Sequence, residues 1–511
     1  MLERNELILN YINEELESVP STVNSKLTKK GIKLNTRLEL NEIKKQIDNF
    51  IDEKYANRFI VIPGLRGVGK TTILYQTYEY LFKEKNIPLN NILYISCDEL
   101  NDITECNIRE LVEIYLKNKF NKNIRTLNEK VFLLIDEAQY DKNWAVSNKI
   151  IFDKSDNIFM IITGSSAIHL QYNADAARRL KRRVLTPLNY NQHLNLKHNQ
   201  SFNNLSDSLC ELIFTGKPEK AIKYEFEANK ALTNIVEYTS SEWDYYLKYG
   251  GFPTVDEDKP LTDVREEIVT MTNKIITEDI MQIKTITSDN QAIAKRIIRQ
   301  LALQKPGEVS QHKLSNYLKT AVSNVNNILD LLEKTELIFH CEPFGGSSRR
   351  LKKPWKYYFA SSSIRHALSM KIGNTMKNSK EYEGILIENL VASNLFNLSN
   401  TQINSFNIYY DPHKDKNVDF VIQDSFENPI PIEVGRGKKK KGQIKNAMNR
   451  YDSEYGIVVA NTKSSIEKNG DIIFIPPKTF SFLWIHQLKW NKWNQIGTSN
   501  LLEVRVNKSN M

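Results

Sequence analysis

No run of apolar residues in this sequence approaches the roughly 18 that a membrane-spanning helix needs, and mean hydropathy is −0.46. A helical membrane protein is therefore excluded. The opening residues, MLERNELILNYINEELESVPS, are charged throughout and contain no apolar h-region, so no signal peptide is expected. Only four cysteines occur, Cys97, Cys106, Cys210 and Cys341, and none has C-x-x-C spacing. That excludes a disulfide framework or a zinc ribbon and points to a reduced, cytoplasmic protein. No internal repeat is apparent. Hydrophobic content of 41% and charged content of 26% are those of globular chains and exclude wholesale disorder. At 511 residues the chain is too long for one core, and about three to four folded units are expected. What is in excess is positive charge: the net is +9.

Residues 1–56 read as a helical, mixed-charge arm. From 57 to 190 short apolar runs alternate with helix-length segments: RFIVIPG, NILYISCD, VFLLIDEA, IFMIITGSS and RRVLTPL. Such runs, buried on both sides by pattern, predict a parallel sheet with crossover helices. Residues 191–286 read as a helical lid or linker with a turn at Tyr249 to Pro253. Residues 287–370 give three helices and a β-hairpin, the order of a winged helix. Residues 371–490 give a helix, EYEGILIENLVASNLF, and further strands. A tail, 491–511, follows; Trp490 and Trp493 flank its start without a readable motif.

The chemistry concentrates first at Gly64-Leu65-Arg66-Gly67-Val68-Gly69-Lys70-Thr71, which matches G-x-x-x-x-G-K-[ST] between a strand and a helix. Gly64, Gly67 and Gly69 let backbone N–H groups of the loop, with Arg66 and Val68 between them, turn toward a phosphate. The helix N-terminus, entered through Thr72, adds partial positive charge. Lys70 is the expected β- and γ-phosphate ligand and Thr71 a Mg²⁺ ligand. ATP and Mg²⁺ are the implied cofactors. Val131 to Ile135 is an apolar strand ending in Asp136 and Glu137. Asp136 stands where open α/β sheets bind ligands and is expected in the Mg²⁺ shell. Glu137 is the candidate base for the attacking water. The strand ending at Thr163 leads into Gly164-Ser165-Ser166. Ser165 there is a candidate contact for the γ-phosphate or the water, or else a turn or helix cap. The run NILYISCD, between loop and acids in sequence, implies an ATPase sheet with an added central strand. Arg178 and Arg179 are candidates for an arginine that stabilises transition-state charge in cis or in trans; the alternative is a solvated basic face.

With these motifs in order, the chain resembles a prokaryotic AAA+/STAND-type ATPase family. The resemblance is carried by GLRGVGKTT, LLIDEAQ, ITGSSA, ARR…PLNYNQHL and YLKYGGFP, and extends into a restriction-endonuclease-like C-terminal region. It departs at Pro187-Leu188-Asn189-Tyr190, where the family usually has PLSF-x-E. It implies an α/β fold: a P-loop ATPase core, a helical lid, a winged helix and an α/β nuclease-like domain.

In that last region Glu388, Asp419 and Glu433 are similar to the acids of the PD-(D/E)XK core, which gather Mg²⁺ ions for phosphodiester cleavage. Asp419 is placed at the end of a short strand, Asn417 to Asp419. The lysine expected two residues after Glu433 is replaced by Gly435, although Lys438, Lys439, Lys440 and Lys441 follow. Nuclease, DNA- or protein-binding remnant, and purely structural acids all remain readings of this unit.

Two stretches carry the excess charge. Pro343–Lys380 has nine Lys or Arg and Val434–Tyr451 has seven, and neither holds an Asp or Glu. With +16 there, a net of +9 leaves −7 for everything else. Arg349, Arg350, Lys352 and Lys353 fall on the predicted wing, with Trp355 and Tyr357 interleaved, Lys438 and Lys439 fall in the second stretch, and phosphate neutralisation is the expected role of both sets. Ser323, Asn324 and Asn326 open the predicted recognition helix, Ala321–Lys334, and are candidates for base-edge contacts. DNA is the expected partner, with a homo-oligomer an open option. The leading expectation is an ATPase that couples nucleotide state to DNA contact. The alternatives are an ATP-gated nuclease effector and a nucleotide-switched scaffold that binds protein.

Overall fold

The computed structural model describes residues 2–104, 106–165, 178–253, 259–373, 379–400, 406–424, 427–435 and 441–484. Ser166, Gly437 and Lys438 to Lys440, Trp490 and Trp493, the tail and the Lys352 side chain lie outside the described residues. Among the described residues no helix is long and apolar enough to cross a membrane.

The arm consists of α1 (Leu2–Lys26), a two-residue hairpin and α2 (Leu40–Ile51). It is part of the first unit's core: Ile8, Tyr11, Ile12 and Leu16 pack under the sheet strands. The sheet is built from β1 (Phe59–Pro63), β2 (Ile92–Ser96), β3 (Val131–Asp136), β4 (Ile158–Gly164) and the two-residue β5 (Lys181–Arg182). Helices α3 (Lys70–Glu79), α4 (Cys97–Thr104), α5 (Ile108–Phe120) and α6 (Trp144–Lys154) make the crossovers. Every residue of the first four strands is buried, as a sheet covered on both faces requires. All pairings are parallel, in the order β2-β3-β4-β1-β5.

That order contains the added central strand that the sequence implies. NILYISCD, as β2, lies at the sheet edge, and the strand inserted between β1 and β3 is β4. Four uniformly apolar strands look alike in sequence, so their pattern says nothing about who neighbours whom.

The region read as a lid divides in two. Helices α7 (Tyr190–His198), α8 (Asn203–Thr215), α9 (Glu219–Thr233) and α10 (Glu242–Tyr249) share a core with the C-terminal unit. Hydrogen bonds confirm the attachment: Tyr190 N donates to Ser481 O at 3.0 Å, and Ser206 Oγ to Phe482 O at 2.7 Å. Helix α11 (Leu261–Lys274) and the π-turn Ile275–Asp279 instead pack with the ATPase sheet and with α12 (Ser288–Leu303).

After α12 come β6 (Glu308–Val309), α13 (Gln311–Leu318), α14 (Val322–Lys334), β7 (Ile338–Pro343), the short α15 (Ser347–Lys352), β8 (Trp355–Phe359) and α16 (Ser362–Ile372). Polar N-caps at Thr287, Ser310 and Ser361 start α12, α13 and α16, each hydroxyl accepting an otherwise unpaired helix N–H. The C-terminal unit adds α17 (Ser379–Ser399), β9 (Phe406–Tyr410), β10 (Phe420–Asp424), β11 (Ile430–Val434), α18 (Lys441–Tyr451), β12 (Gly456–Val459), β13 (Glu467–Asn469), β14 (Ile472–Ile475) and α19 (Pro477–Phe480). Its strands join the hairpin strands in one mixed nine-stranded sheet, β13-β14-β12-β11-β10-β9-β7-β8-β6. The joint is a parallel pairing of β7 with β9, Glu342 opposite Tyr409 and Pro343 opposite Tyr410. The two units expected to be separate thus share a continuous backbone ladder.

Candidate functional site

Strand β1 delivers the glycine-rich loop to the carboxyl end of the sheet. Gly67 and Gly69 have φ of +84° and +96°, a region costly for residues with a Cβ. Gly69 caps α3, which begins at Lys70, so the helix N-terminus faces the loop's concavity. Lys70 is buried, and its Nζ donates to Gly64 O at 3.0 Å and Leu65 O at 3.2 Å. Thr71 Oγ1 donates to Asp136 Oδ2 at 2.7 Å.

Asp136 sits at the end of β3, only 4% exposed. Tyr94 OH donates to its Oδ2 at 3.1 Å, and the Thr163 hydroxyl donates to its Oδ1. Burial, then the neighbouring Glu137 charge, raises the Asp136 carboxyl above the usual range, while Thr163, Thr71 and Lys70 oppose the rise. Glu137 is in the left-handed region, φ 50°. Its N–H reaches Asp136 Oδ1 at 3.2 Å and Thr163 Oγ1 at 3.3 Å. Gln139 Nε2 donates to the Glu137 carboxylate, and Gln139 Oε1 accepts from Ser165 N at 3.1 Å. The Ser165 hydroxyl is buried and has no hydrogen-bond partner among the described residues. The loop, Thr71, Asp136, Glu137 and Ser165 therefore come together as the sequence suggests.

Other members are not legible in the sequence. Thr163 and Tyr94 ligate Asp136 from β4 and β2, and Arg37 braces the loop from behind, its guanidinium donating to Val68 O at 2.8 Å and Thr186 O at 3.1 Å. Arg37 carries no motif; Gln139 was visible only as the last letter of DEAQ.

The site is roofed by the YGGFP turn and α11. A Cβ on Gly67 would meet Met271 Sδ at 2.5 Å and Phe252 at 3.7 Å, and one on Gly69 would meet Pro253 at 3.5 Å. Arg66 projects from the loop to Glu278 (2.7 Å) and Asp279 (2.9 Å) on the π-turn. Burial works against the guanidinium's charge, but Asp279 and then Glu278 outweigh it and hold its proton more tightly than usual. Arg66→Ala is expected to leave Asp279 buried without its counter-charge. Because Arg66 is 30% exposed, the cost is about 1–2 kcal/mol, below that of breaking a fully buried pair. A lower urea midpoint at unchanged slope checks it; a midpoint equal to the parent's refutes it.

The same roof touches the second half of the chain. Gly251 O accepts from Leu188 N at 2.9 Å, and a Cβ on Gly251 would lie 2.3 Å from Ser361 Oγ and 2.5 Å from Ser363 Oγ. Only glycine fits between the turn and the start of α16, so loop, turn and α16 are in contiguous contact.

Arg178 and Arg179 do not reach this site in cis. Arg179 Nε binds Asp153 Oδ1 at 2.5 Å at the end of α6. The register Ile60–Lys181 sets Arg179 level with the start of β1. At ~3.3 Å per strand residue, that is on the order of 15–20 Å from the loop.

The C-terminal acids are not assembled as the nuclease pattern expects. Asp419 precedes β10 rather than ending a strand, and its Oδ2 accepts from Val434 N at 2.7 Å. Glu388 on α17 accepts from Tyr358 OH at 2.9 Å. Burial, then the Asp419 charge, pushes its carboxyl up to about 7, with Lys356, Tyr358 and Arg365 pulling it down. Glu433 lies on the other face of the sheet: Ile432 and Val434 pack with Leu386 and Leu390 of α17, and alternation turns Glu433 toward α18. Among the described residues no group of three or more His, Cys, Asp and Glu side chains could hold a metal ion. The metal role expected for Glu388, Asp419 and Glu433 is therefore not supported by their placement.

The candidate nucleic-acid residues also divide. Ser323 and Asn326 are exposed on α14, whereas Asn324 turns inward and donates to Asn290 Oδ1 at 2.8 Å and Thr320 Oγ1 at 3.0 Å. Arg349 is exposed, Arg350 lies 4.5 Å above the Tyr409 ring, and Lys353 Nζ donates to Pro412 O at 2.8 Å. Trp355 is stacked on His340 at 3.9 Å and Tyr357 is buried, so neither is an open stacking platform. Arg365, 1% exposed, and Lys371, paired with Glu266 at 2.6 Å, do not add to a basic surface.

An AAA domain model matches residues 56–194, and two domains of unknown function match residues 240–378 (DUF8612) and 383–480 (DUF4143). The chain is 30% identical over 483 residues to uncharacterized protein MJ1637 of Methanocaldococcus jannaschii, covering 94% of this chain and 95% of the relative. It is 26% identical over 430 residues to uncharacterized protein MJ1544 of the same organism, covering 81% and 83%. Among solved structures, the Walker-type ATPase PABY2304 of Pyrococcus abyssi aligns at TM-score 0.37 and 15% identity, covering 66% of this chain and 98% of that one. The Aeropyrum pernix ORC1 protein in complex with DNA aligns at 0.31 and 12%, covering 68% and 96%.

Proposed function

We propose, from the premise that this chain belongs to the same family as protein MJ1637 of Methanocaldococcus jannaschii, that its AAA-type P-loop domain hydrolyses MgATP and passes its nucleotide state to a DNA-contacting half. The observation that carries the reading is the meeting of Lys70, Thr71, Asp136 and Glu137 at one end of the parallel sheet.

The donor set fits the expected cofactors. Thr71 and Asp136 offer hard oxygens within hydrogen-bond distance of each other, suited to Mg²⁺. Bound there, the ion would neutralise phosphate charge. Lys70 rests on loop carbonyls and exchanges those bonds for phosphate oxygens. The loop N–H groups and the α3 N-terminus supply further positive potential. Glu137, oriented by Gln139, accepts a proton from the attacking water. Ser165 has an unspent buried hydroxyl suited to hold that water or the γ-phosphate. Arg178 and Arg179, remote in cis, fit a finger supplied to a neighbouring copy.

Residues 287–370 are read as a winged helix, with Ser323 and Asn326 outward on α14 and Arg349 outward on the hairpin. Loop, YGGFP turn and α16 form the contact path between ATP and this unit. Gly435 at the usual lysine position, with the acids split across the sheet, favours a binding role for the C-terminal unit over cleavage.

Two measurements test the proposal. ATP turnover is expected to need Mg²⁺ and to vanish when EDTA removes it. Affinity for a fluorescent DNA duplex is expected to differ severalfold between the nucleotide-free protein and the protein with a non-hydrolysable ATP analogue. Metal-independent turnover refutes the first part, and identical affinities refute the coupling.

A further inference from the structure

The acid-free stretches identified in the sequence do not include residues 411–418, yet the fold sets that loop beside the hairpin tip. Because β7 and β9 run parallel with Pro343 opposite Tyr410, the segments that follow them leave the sheet side by side. Lys353 Nζ donates to Pro412 O at 2.8 Å, Tyr410 OH to Pro354 O at 2.7 Å, and Phe344 packs on Tyr451 with ring centroids 4.8 Å apart.

The loop is organised around Asp411, which is 1% exposed. Its carboxylate accepts from Tyr451 OH (2.7 Å), His413 N (3.1 Å) and Nδ1 (2.7 Å), Val418 N (3.2 Å) and Arg450 Nη1 (2.5 Å). Burial opposes its charge, but the bonds from Tyr451 and His413 win and hold the carboxyl below its ordinary value. All this negative charge is spent inward. Outward the loop presents Lys414 and Lys416, with Asp415 between them, and Lys445 is exposed on α18. Arg349 stands across the joint on α15, lining a cleft with Gly346, Ser347, Ser348 and Lys353.

We infer that hairpin tip and 411–418 loop form one composite surface for the phosphate backbone of duplex DNA, with Arg349 on one side and Lys414 and Lys416 on the other. This rests on the DNA-contacting reading above and adds to it a loop of the C-terminal unit that the reading did not use. A duplex fits better than a single strand because the aromatics here are spent. Trp355 is stacked on His340, Tyr409 lies beneath Arg350, and Phe344 packs between Tyr409 and Tyr451. Single strands gain much of their affinity from bases stacking on open rings; a duplex backbone needs only cations.

The test is fluorescence anisotropy of a labelled duplex titrated with full-length protein from about 50 to about 200 mM salt. Each lost phosphate contact lowers the slope of log K against log salt by about 0.9. Arg349→Ala is expected to lower it by about 0.9, and the double variant Lys414→Ala, Lys416→Ala by about 1.8, with affinity falling severalfold at the lower salt. Lys414→Arg with Lys416→Arg is expected to restore both. Matching thermal midpoints show that the variants fold. If the double variant keeps parental affinity and slope while Arg349→Ala loses them, the loop is not part of the surface and the inference is overturned, with DNA contact left standing. If the unaltered protein binds no duplex at low salt, the DNA reading itself fails and takes the inference with it. Tighter binding of a single strand than of the duplex overturns the choice of partner.

Discussion

Lys70→Ala is expected to abolish ATP turnover and to weaken nucleotide binding by about two to three orders of magnitude. Lys70 is 6% exposed, and its ammonium is held inside the loop by Gly64 O and Leu65 O. A positive charge aimed at phosphate oxygens in a water-poor site contributes on the order of 3–4 kcal/mol, far more than a surface ion pair. Alanine removes that charge while the glycine turn and the α3 N-terminus persist, so a residual weak affinity is expected. Lys70→Arg is expected to fail almost as badly, because a planar fork does not replace a compact point charge in a fitted cavity. Titration with a fluorescent ATP analogue, together with phosphate release, checks both variants. Undiminished turnover in Lys70→Ala would remove the assignment of this loop as the nucleotide site.

Glu137→Gln is expected to separate binding from hydrolysis. Its backbone N–H, bound to Asp136 and Thr163, does not depend on the side chain. Glutamine preserves the shape and can still accept from Gln139. What it loses is the capacity to take a proton, a function that supplies roughly 10²–10⁴-fold in rate. Turnover should fall by that factor while ATP affinity stays within a factor of about three. Such a protein, held in the ATP-bound state, is also the reagent for measuring whether duplex affinity follows nucleotide occupancy. Loss of binding equal to the loss of rate would show instead that Glu137 supports the fold of the loop.

The two sites differ in how far the sequence reveals them. The glycine loop and the Asp136-Glu137 pair are each contiguous, and their signals are local: an apolar run, a turn only glycines adopt, a helix start, an apolar run ending in acids. Thr163 and Tyr94 also belong to that site, but they meet Asp136 across strands. The C-terminal unit shows the reverse. Its acids occur in a suggestive order, but strand alternation carries Glu433 to the opposite face from Glu388, and the buried carboxylate that organises the 411–418 loop, Asp411, has no motif.

The sequence by itself determined the class of the first unit, the position of the glycine-rich loop and the two acids, Asp136 and Glu137, at the end of the strand beside it. It determined these because backbone conformation and burial period are written within a few neighbouring residues. Only the tertiary structure decided that β4 is the inserted strand, that Arg179 stands at the far end of the sheet and that Asn324 turns inward. It also decided that residues 191–286 serve two cores and that the hairpin shares a sheet with the C-terminal unit. Apolar periodicity says that a face is covered; it carries no record of which segment covers it, because burial in any partner satisfies the same hydrophobic drive.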